Sequence, residues 1–199
     1  MSNSYIDALK KRRSQYALGK DLPLSQPDVT ALIREAIRLS PSAFNSQSSR
    51  AVILFGSQSG KFWHFVKEAL RKIVPDTAFA ATETKIDGFA AGAGTILFYE
   101  DQDVIAGLQK QFAAYADNFP IWSEQSSGMA QFSVWTALAD AGIGASLQHY
   151  NPLPDAAAAA EWNLPASWKL RAQMPFGANK GGFGDRTFID DEQRFRIFS

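Results

Sequence analysis

Two short stretches, Ala51-Val52-Ile53-Leu54-Phe55 and Thr95-Ile96-Leu97-Phe98-Tyr99, set the terms on which this chain can fold. The first is apolar without a break and is closed by Gly56, which reads as a buried strand with no wet face. The second reads as another strand. A third is announced by alternation: Leu170, Ala172 and Met174 interleave with Lys169, Arg171 and Gln173, the pattern of a half-buried strand. Near the end, Phe195 and Ile197 alternate with Arg194 and Arg196 and predict a last strand.

Helices fill the space between. Val29, Leu32, Ile33, Ala36 and Ile37 recur at helical spacing behind Ser25, which stands where an N-cap belongs, with Pro27 in the first turn and Asp28 three residues on. Phe62, Phe65, Val66, Ala69, Leu70 and Ile73 mark a second helix stopped by Pro75. A long one runs from about Ile121 to Ala141, marked by Met129, Phe132, Trp135 and Leu138, with Pro120 at its mouth, and Asp155 before Ala156–Ala160 predicts a short capped helix. The strands are few and no βαβ period repeats. The expectation is an α+β fold, helices around a small sheet, in a single domain over residues 1–199.

The 20 lysines and arginines balance the 20 aspartates and glutamates, so no global field would gather nucleic acid or an anionic membrane. Anion recognition has to come from a few placed residues. With no cysteine, disulfides and thiolate metal sites are excluded. The two histidines, His64 and His149, lie far apart and outside any ligand pattern, so no metal site is expected. The N-terminal segment has no apolar core of signal-peptide length, no stretch reaches a membrane span of about 20 residues, and the default compartment is the cytoplasm.

Two glycine motifs fail on spacing. Gly56-Ser57-Gln58-Ser59-Gly60-Lys61 has three residues between its glycines and Phe62 after the lysine, where a phosphate loop needs four and a Ser or Thr. A turn with an N-cap is expected there. Gly142-Ile143-Gly144 lacks a third glycine and follows a helix, so it is no dinucleotide fingerprint. There is no Gly-x-Ser-x-Gly elbow either.

Three polar clusters remain. Arg12-Arg13-Ser14 closes the first helical segment with two guanidinium forks and a hydroxyl, suited to a phosphate or equally to a helix C-terminus. Ser40 to Arg50, between a helix and a strand, holds Ser42, Phe44, Asn45 and Gln47; two amides beside an aromatic look like recognition of a heteroaromatic edge. Gly142-Ile143-Gly144-Ala145-Ser146-Leu147-Gln148-His149 places two glycines, which let backbone approach a ligand, ahead of Gln148 and His149.

The Arg12-Arg13-Ser14 start, the Pro41-Ser42-x-x-Asn45-x-Gln47 loop and the Gly142-x-Gly144-Ala145 turn, in this order and spacing, resemble the nitroreductase family over essentially the whole chain. Leu147-Gln148-His149-Tyr150-Asn151-Pro152 and Gln173-Met174-Pro175-Phe176-Gly177 are similar to the branch with the yeast Frm-type and related bacterial nitroreductases. The resemblance implies an α+β fold with a small, mainly antiparallel sheet surrounded by helices, in an intertwined homodimer holding FMN at the subunit interface.

It further implies that Arg12, Arg13 and Ser14 hold the FMN phosphate and ribityl side, while Ser42, Phe44, Asn45 and Gln47 reach the flavin from the other subunit. The backbone of Leu147, Gln148 and His149 would lie along the isoalloxazine, with an amide donor to flavin N5. A basic residue near the C-terminus would join the phosphate, Arg186 first and Lys180 second. Tyr16 is a departure, since the family often has a basic residue there, near the flavin pyrimidine. The implied reaction takes electrons from NADH or NADPH and passes them to a nitroaromatic, quinone or similar electron-poor acceptor, by a ping-pong course and with no catalytic side chain. Rival readings are a flavin-binding redox sensor or regulatory protein without turnover, a nucleotide-phosphate module on Gly56–Lys61, and a helical domain with incidental polar loops.

Overall fold

The computed structural model describes residues 3–199; Met1 and Ser2, which begin the N-terminal segment, lie outside the described residues. A five-stranded sheet occupies the centre in the order β1 (Leu18–Gly19), β5 (Trp168–Asn179), β3 (Gly94–Asp101), β2 (Ser49–Phe55), with β4 (Gly144–Ala145) also paired to β5. Every one of these ladders is antiparallel, as expected of the sheet.

The uninterrupted apolar run of β3 has a direct cause. Successive side chains leave opposite faces of a strand, and helices cover both faces here. Ile96 and Phe98 meet Val29 and Ile33 of α2 (Gln26–Arg38) and Val134 and Leu138 of α6 (Asn118–Asp140). Leu97 and Tyr99 meet Phe62, Trp63 and Val66 of α3 (Ser57–Arg71) and Ile86 and Phe89 of α4 (Asp76–Ala90).

The same two-sided cover corrects the half-buried reading of Leu170–Met174 at one position. Lys169 is exposed and Arg171 half-buried, as the alternation expects, but β5 is interior to the sheet, and Gln173, on the supposedly wet side, is fully buried. The correction for Ala51–Phe55 runs the other way. β2 is an edge strand bonded only to β3, and of its residues only Leu54 is buried. The strand expected at Phe195–Ile197 is absent: a short helix, α8 (Asp191–Arg194), precedes a tail that pairs with no strand among the described residues.

Ser25 caps α2 as expected, its hydroxyl accepting from the Asp28 N–H at 3.3 Å. Asp155 does not cap α7 (Asp155–Glu161): Pro154 holds that position, and the Asp155 carboxylate is left with a buried Oδ1 that has no partner among the described residues. Gly56 occupies the cap of α3 with φ of 53°, so the expected turn is there without a capping side chain. Helices α4 and α5 (Gln102–Gln111) lie in stretches the sequence left unassigned.

α1 (Ser4–Lys11) is capped by Asn3, whose side chain accepts from the Tyr5 and Ile6 N–H groups. It packs on α6. α6 itself is apolar on both sides, burying Ala130, Val134 and Leu138 while leaving Ile121, Met129 and Phe132 exposed. No helix among the described residues is long and apolar enough to cross a membrane.

Candidate functional site

The site begins where the chain leaves α6. Gly142, at φ of 76°, turns it back so that residues 144–148 run along β5. Gly144 pairs with Gly177, Ala145 with Phe176 and Gln148 with Gln173, one continuous antiparallel register. Gly177 has to be glycine, because a Cβ there would sit 2.1 Å from the Gly19 carbonyl oxygen of β1.

In such a ladder bonded and non-bonded positions alternate. Gln148 and Gln173 exchange both main-chain hydrogen bonds, at 2.7 and 2.9 Å. The N–H groups of Leu147 and His149, one position to either side, therefore point away from β5. Neither meets a protein acceptor among the described residues. Gln148 spends its own N–H on β5 and its side chain on Ser146 Oγ, at 3.0 Å, so it serves the edge from within. His149 is exposed and Leu147 half-buried.

Arg12, Arg13 and Ser14 arrive at this edge. Ser14 bridges Ala145 in parallel, and the Gln15 N–H donates to the Ala145 carbonyl at 2.9 Å. The same carbonyl accepts from Trp135 Nε1 at 3.2 Å, and the Trp135 ring carries the Arg12 guanidinium 4.4 Å from its centre. Arg186 Nη2 donates to the Arg12 carbonyl at 2.7 Å, and Arg13 donates to the Gly184 carbonyl.

Three guanidinium groups thus converge, and none of them pairs with a carboxylate among the described residues. Burial holds the Arg12 pKa below its ordinary value, with Arg186 and Arg13 adding repulsion. Lys180 is turned elsewhere, 3.3 Å from Asp21. Tyr16 is exposed beside the cluster.

The second polar cluster forms a tight loop on which three non-glycine residues take left-handed backbone: Phe44 (φ 55°), Asn45 (φ 49°) and Gln47 (φ 48°). Each such residue costs on the order of 1–3 kcal/mol and persists only where its surroundings hold it. Phe44 is held by Phe112, Tyr115, Phe119 and Trp122, the last nearly parallel to it with centroids 5.8 Å apart. Ser42 Oγ accepts from the Gln47 N–H at 3.0 Å, and Arg50 Nη1 donates to the Gln47 carbonyl at 2.6 Å. Arg50 is in turn paired with Asp101 at 3.0 Å. Behind the loop, Ser48 and Ser49 both donate to Glu100, a fully buried carboxylate whose pKa burial pushes up.

The structure brings the first and third clusters together with Arg186, and it keeps the second apart. Along β5, Lys169 stands by Glu100 and hence by Ser49, while Phe176 stands by Ala145. Seven residue-to-residue steps of strand separate the two points, about 23 Å at roughly 3.3 Å each. Within one chain the loop at 42–47 and the edge at 145–149 do not form a common surface.

Sequence reasoning missed Trp135 and Gln173. Trp135 looked like a core marker of its helix, and Gln173 like the polar half of an alternating strand; no sequence signal separates these roles. The Gly56–Lys61 rival is closed off. Ser59 Oγ is buried against Thr95 Oγ1 at 2.7 Å, and Lys61 pairs with Glu161 at 2.5 Å. Among the described residues no group of His, Asp and Glu could hold a metal ion.

Comparison with known proteins was consistent along the chain. Residues 9–178 match the nitroreductase family. In Saccharomyces cerevisiae, HBN1 is 35% identical and covers 95% of both chains, and the nitroreductase FRM2 is 32% identical over 96% of this chain and 95% of its own. The nitroreductase CinD of Lactococcus lactis, solved with chloramphenicol, superposes with a TM-score of 0.91 at 50% identity, covering 98% of this chain and 100% of its own.

Proposed function

The chain belongs to the nitroreductase family, and on that premise we propose that it is an FMN-dependent oxidoreductase that takes electrons from NADH or NADPH. The observation that carries this reading is the convergence of Arg12, Arg13 and Arg186, without carboxylate partners, beside a strand edge that offers the N–H groups of Leu147 and His149. Concentrated positive charge calls for a polyanion such as a phosphate monoester, which guanidinium forks match in shape. An outward row of amide donors suits the edge of a heteroaromatic ring. These residues fit FMN.

Bound there, FMN would supply the hydride and electron chemistry, and the protein would supply placement and electrostatics. Arg12, Arg13, Arg186 and Ser14 would hold the phosphate and the chain that leads from it. The His149 N–H would face flavin N5, with Leu147 and Gln148 alongside. Lys180, held by Asp21, stands as the lesser phosphate ligand, and Tyr16 would flank the pyrimidine end. No side-chain acid or base is asked for, and one face would serve nicotinamide and acceptor in turn, which makes the kinetics ping-pong.

Ser42, Phe44, Asn45 and Gln47 would complete the site from a second copy, since the strand geometry keeps them from their own chain's edge. A homodimer is supported by the apolar outer side of α6 and by residues 181–199, exposed throughout and carrying Phe183, Phe188, Phe195, Ile197 and Phe198. The acceptor would be a small electron-poor aromatic or quinone-like molecule. CinD has been solved with 4-nitrophenol and with nicotinic acid, at 52% and 51% identity to this chain, which supports a flat aromatic slot. With no nucleic-acid or membrane partner in this reading, the protein would work as a single FMN-binding domain over 1–199 in the cytoplasm.

The test is the absorbance spectrum of the purified protein. A flavin spectrum, release of FMN and not FAD on denaturation, and bleaching by NADH or NADPH are expected. A colourless protein that takes up no added FMN would refute the reading. A yellow protein that no nicotinamide bleaches would instead favour a flavin-binding regulatory protein.

A further inference from the structure

We propose that Gln173 is a positioning residue that fixes the His149 peptide, and so aims its N–H at the bound cofactor; this rests on the FMN reading above. Gln173 is fully buried on β5. Its main chain exchanges two hydrogen bonds with Gln148, and its side chain then reaches past His149. Oε1 accepts from the Tyr150 N–H at 2.7 Å, and Nε2 donates to Asn151 Oδ1 at 3.2 Å. The neighbours of His149 on both sides are thus tied to one residue.

The main-chain ladder alone could not do this. Opposite Ser146 stands Pro175, which has no N–H to give, and the Ser146 N–H reaches the Pro175 carbonyl at 3.3 Å. Beyond Gln148 the register would set Tyr150 opposite Arg171, but the Tyr150 N–H is taken by the Gln173 side chain instead. Tyr150 is also held through its carbonyl, which accepts from the Leu153 N–H, and through its ring against Trp63 and Phe89. Without the Gln173 carboxamide its N–H side would lose its anchor, and the His149 peptide would gain freedom to rotate between Gln148 and Tyr150.

The chemistry explains why the residue is a glutamine. Leucine would fill the volume and leave the half-buried Tyr150 N–H and the Asn151 side-chain Oδ1 without the partners they have here, a cost that native interiors avoid. Both ends of the carboxamide are used here, one as acceptor and one as donor. A network satisfied at every member rigidifies the segment it joins.

Residue-resolved hydrogen exchange of the cofactor-free and FMN-loaded full chain tests the proposal in Gln173→Leu, Gln173→Glu and Asn151→Ala. In the cofactor-free Gln173→Leu protein the Tyr150 amide should exchange about tenfold faster, the equivalent of about 1.4 kcal/mol. Gln173→Glu, which keeps the acceptor, should restore most of that protection; Asn151→Ala should give a smaller rise. FMN should protect the His149 amide in the wild-type protein. In Gln173→Leu that protection should fall and the visible band of the bound flavin should shift.

A folded Gln173→Leu protein with wild-type exchange at Tyr150 and undiminished protection of His149 would overturn the proposal. If that variant does not fold, Asn151→Ala decides: unchanged exchange at Tyr150 and unchanged protection of His149 overturn it equally. A wild-type protein that takes up no FMN, while Tyr150 responds to Gln173→Leu as described, would refute the cofactor reading and with it the role toward the cofactor. The exchange data on the cofactor-free chain keep that failure separate from a failure of the clamp.

Discussion

The guanidinium of Arg12 lies 4.4 Å from the centre of the Trp135 ring, and the same indole donates its N–H to the Ala145 carbonyl. One side chain therefore sets both the height of the Arg12 charge and the course of the strand edge. A cation on an aromatic face is worth about 0.5–2 kcal/mol, depending on how far it is desolvated. Trp135→Leu should therefore weaken FMN binding roughly 2- to 30-fold at 1.4 kcal/mol per decade. Titration followed by flavin fluorescence checks this, and an unchanged affinity would mean that Arg12 is held by other contacts.

Arg13 and Lys180 offer a contrast within the same neighbourhood. Removing one guanidinium from a bound phosphate should cost about 1.5–3 kcal/mol, the range for hydrogen bonds to charged groups. Arg13→Ala should then bind FMN roughly 10- to 150-fold more weakly. Lys180→Ala should change affinity only slightly, since that ammonium is engaged with Asp21. Equal losses in the two variants would mean that Lys180 turns from Asp21 to the phosphate on binding.

Glu100 makes stability depend on pH. Its folded-state pKa is raised, by burial first, with the Ser48 and Ser49 hydroxyls pulling the other way. The folded chain therefore holds this proton more tightly than the unfolded one. The contribution of Glu100 is fully present below its unfolded pKa and is lost as pH rises through the folded one. Glu100→Gln should lack this loss, so its urea midpoint relative to wild type should rise between pH 4 and pH 8. A constant difference across that range would contradict the assignment.

Tyr99 keeps a buried hydroxyl without a partner among the described residues. Burial and the nearby Asp155 carboxylate hold its pKa above the ordinary value, so it stays neutral at any working pH. Leaving such a group unsatisfied costs on the order of 1–3 kcal/mol. Tyr99→Phe should unfold at the same temperature as wild type or a higher one. A marked loss of thermal stability would show that the hydroxyl has a partner, such as an ordered water shared with Asp155 Oδ1.

What the sequence made legible was whatever depends on neighbours along the chain. Ser25 and Asp28 announced α2, and the apolar run at Thr95–Tyr99 announced the strand that two layers of helix enclose. Helix α4 went unread because its buried positions are only Phe79, Ile86 and Phe89 among alanines and polar residues, too sparse to show a face. The pattern at Arg194–Ile197 is real alternation, but a strand also needs a neighbour, and the described residues provide none there. Gln173 was hidden for the same reason: whether a polar residue on an alternating strand meets water depends on what lies above the sheet. At the site, Arg12, Arg13 and Arg186 were each legible as cations. Their convergence depends on residues 174 positions apart in sequence and could be seen only in three dimensions.

The bond from Arg186 to the Arg12 carbonyl has a consequence for assembly. Arg186 belongs to the exposed C-terminal tail, while Arg12 and Arg13 belong to the body, so like charges from opposite ends of the chain are pressed together. An anion that settles among them removes the repulsion and fixes the direction in which residues 187–199 depart. Binding the anion and aiming the tail are then a single event. In the proposed homodimer, a loaded chain would meet its twin with an arm already extended, while an empty one would have to find that trajectory during the encounter.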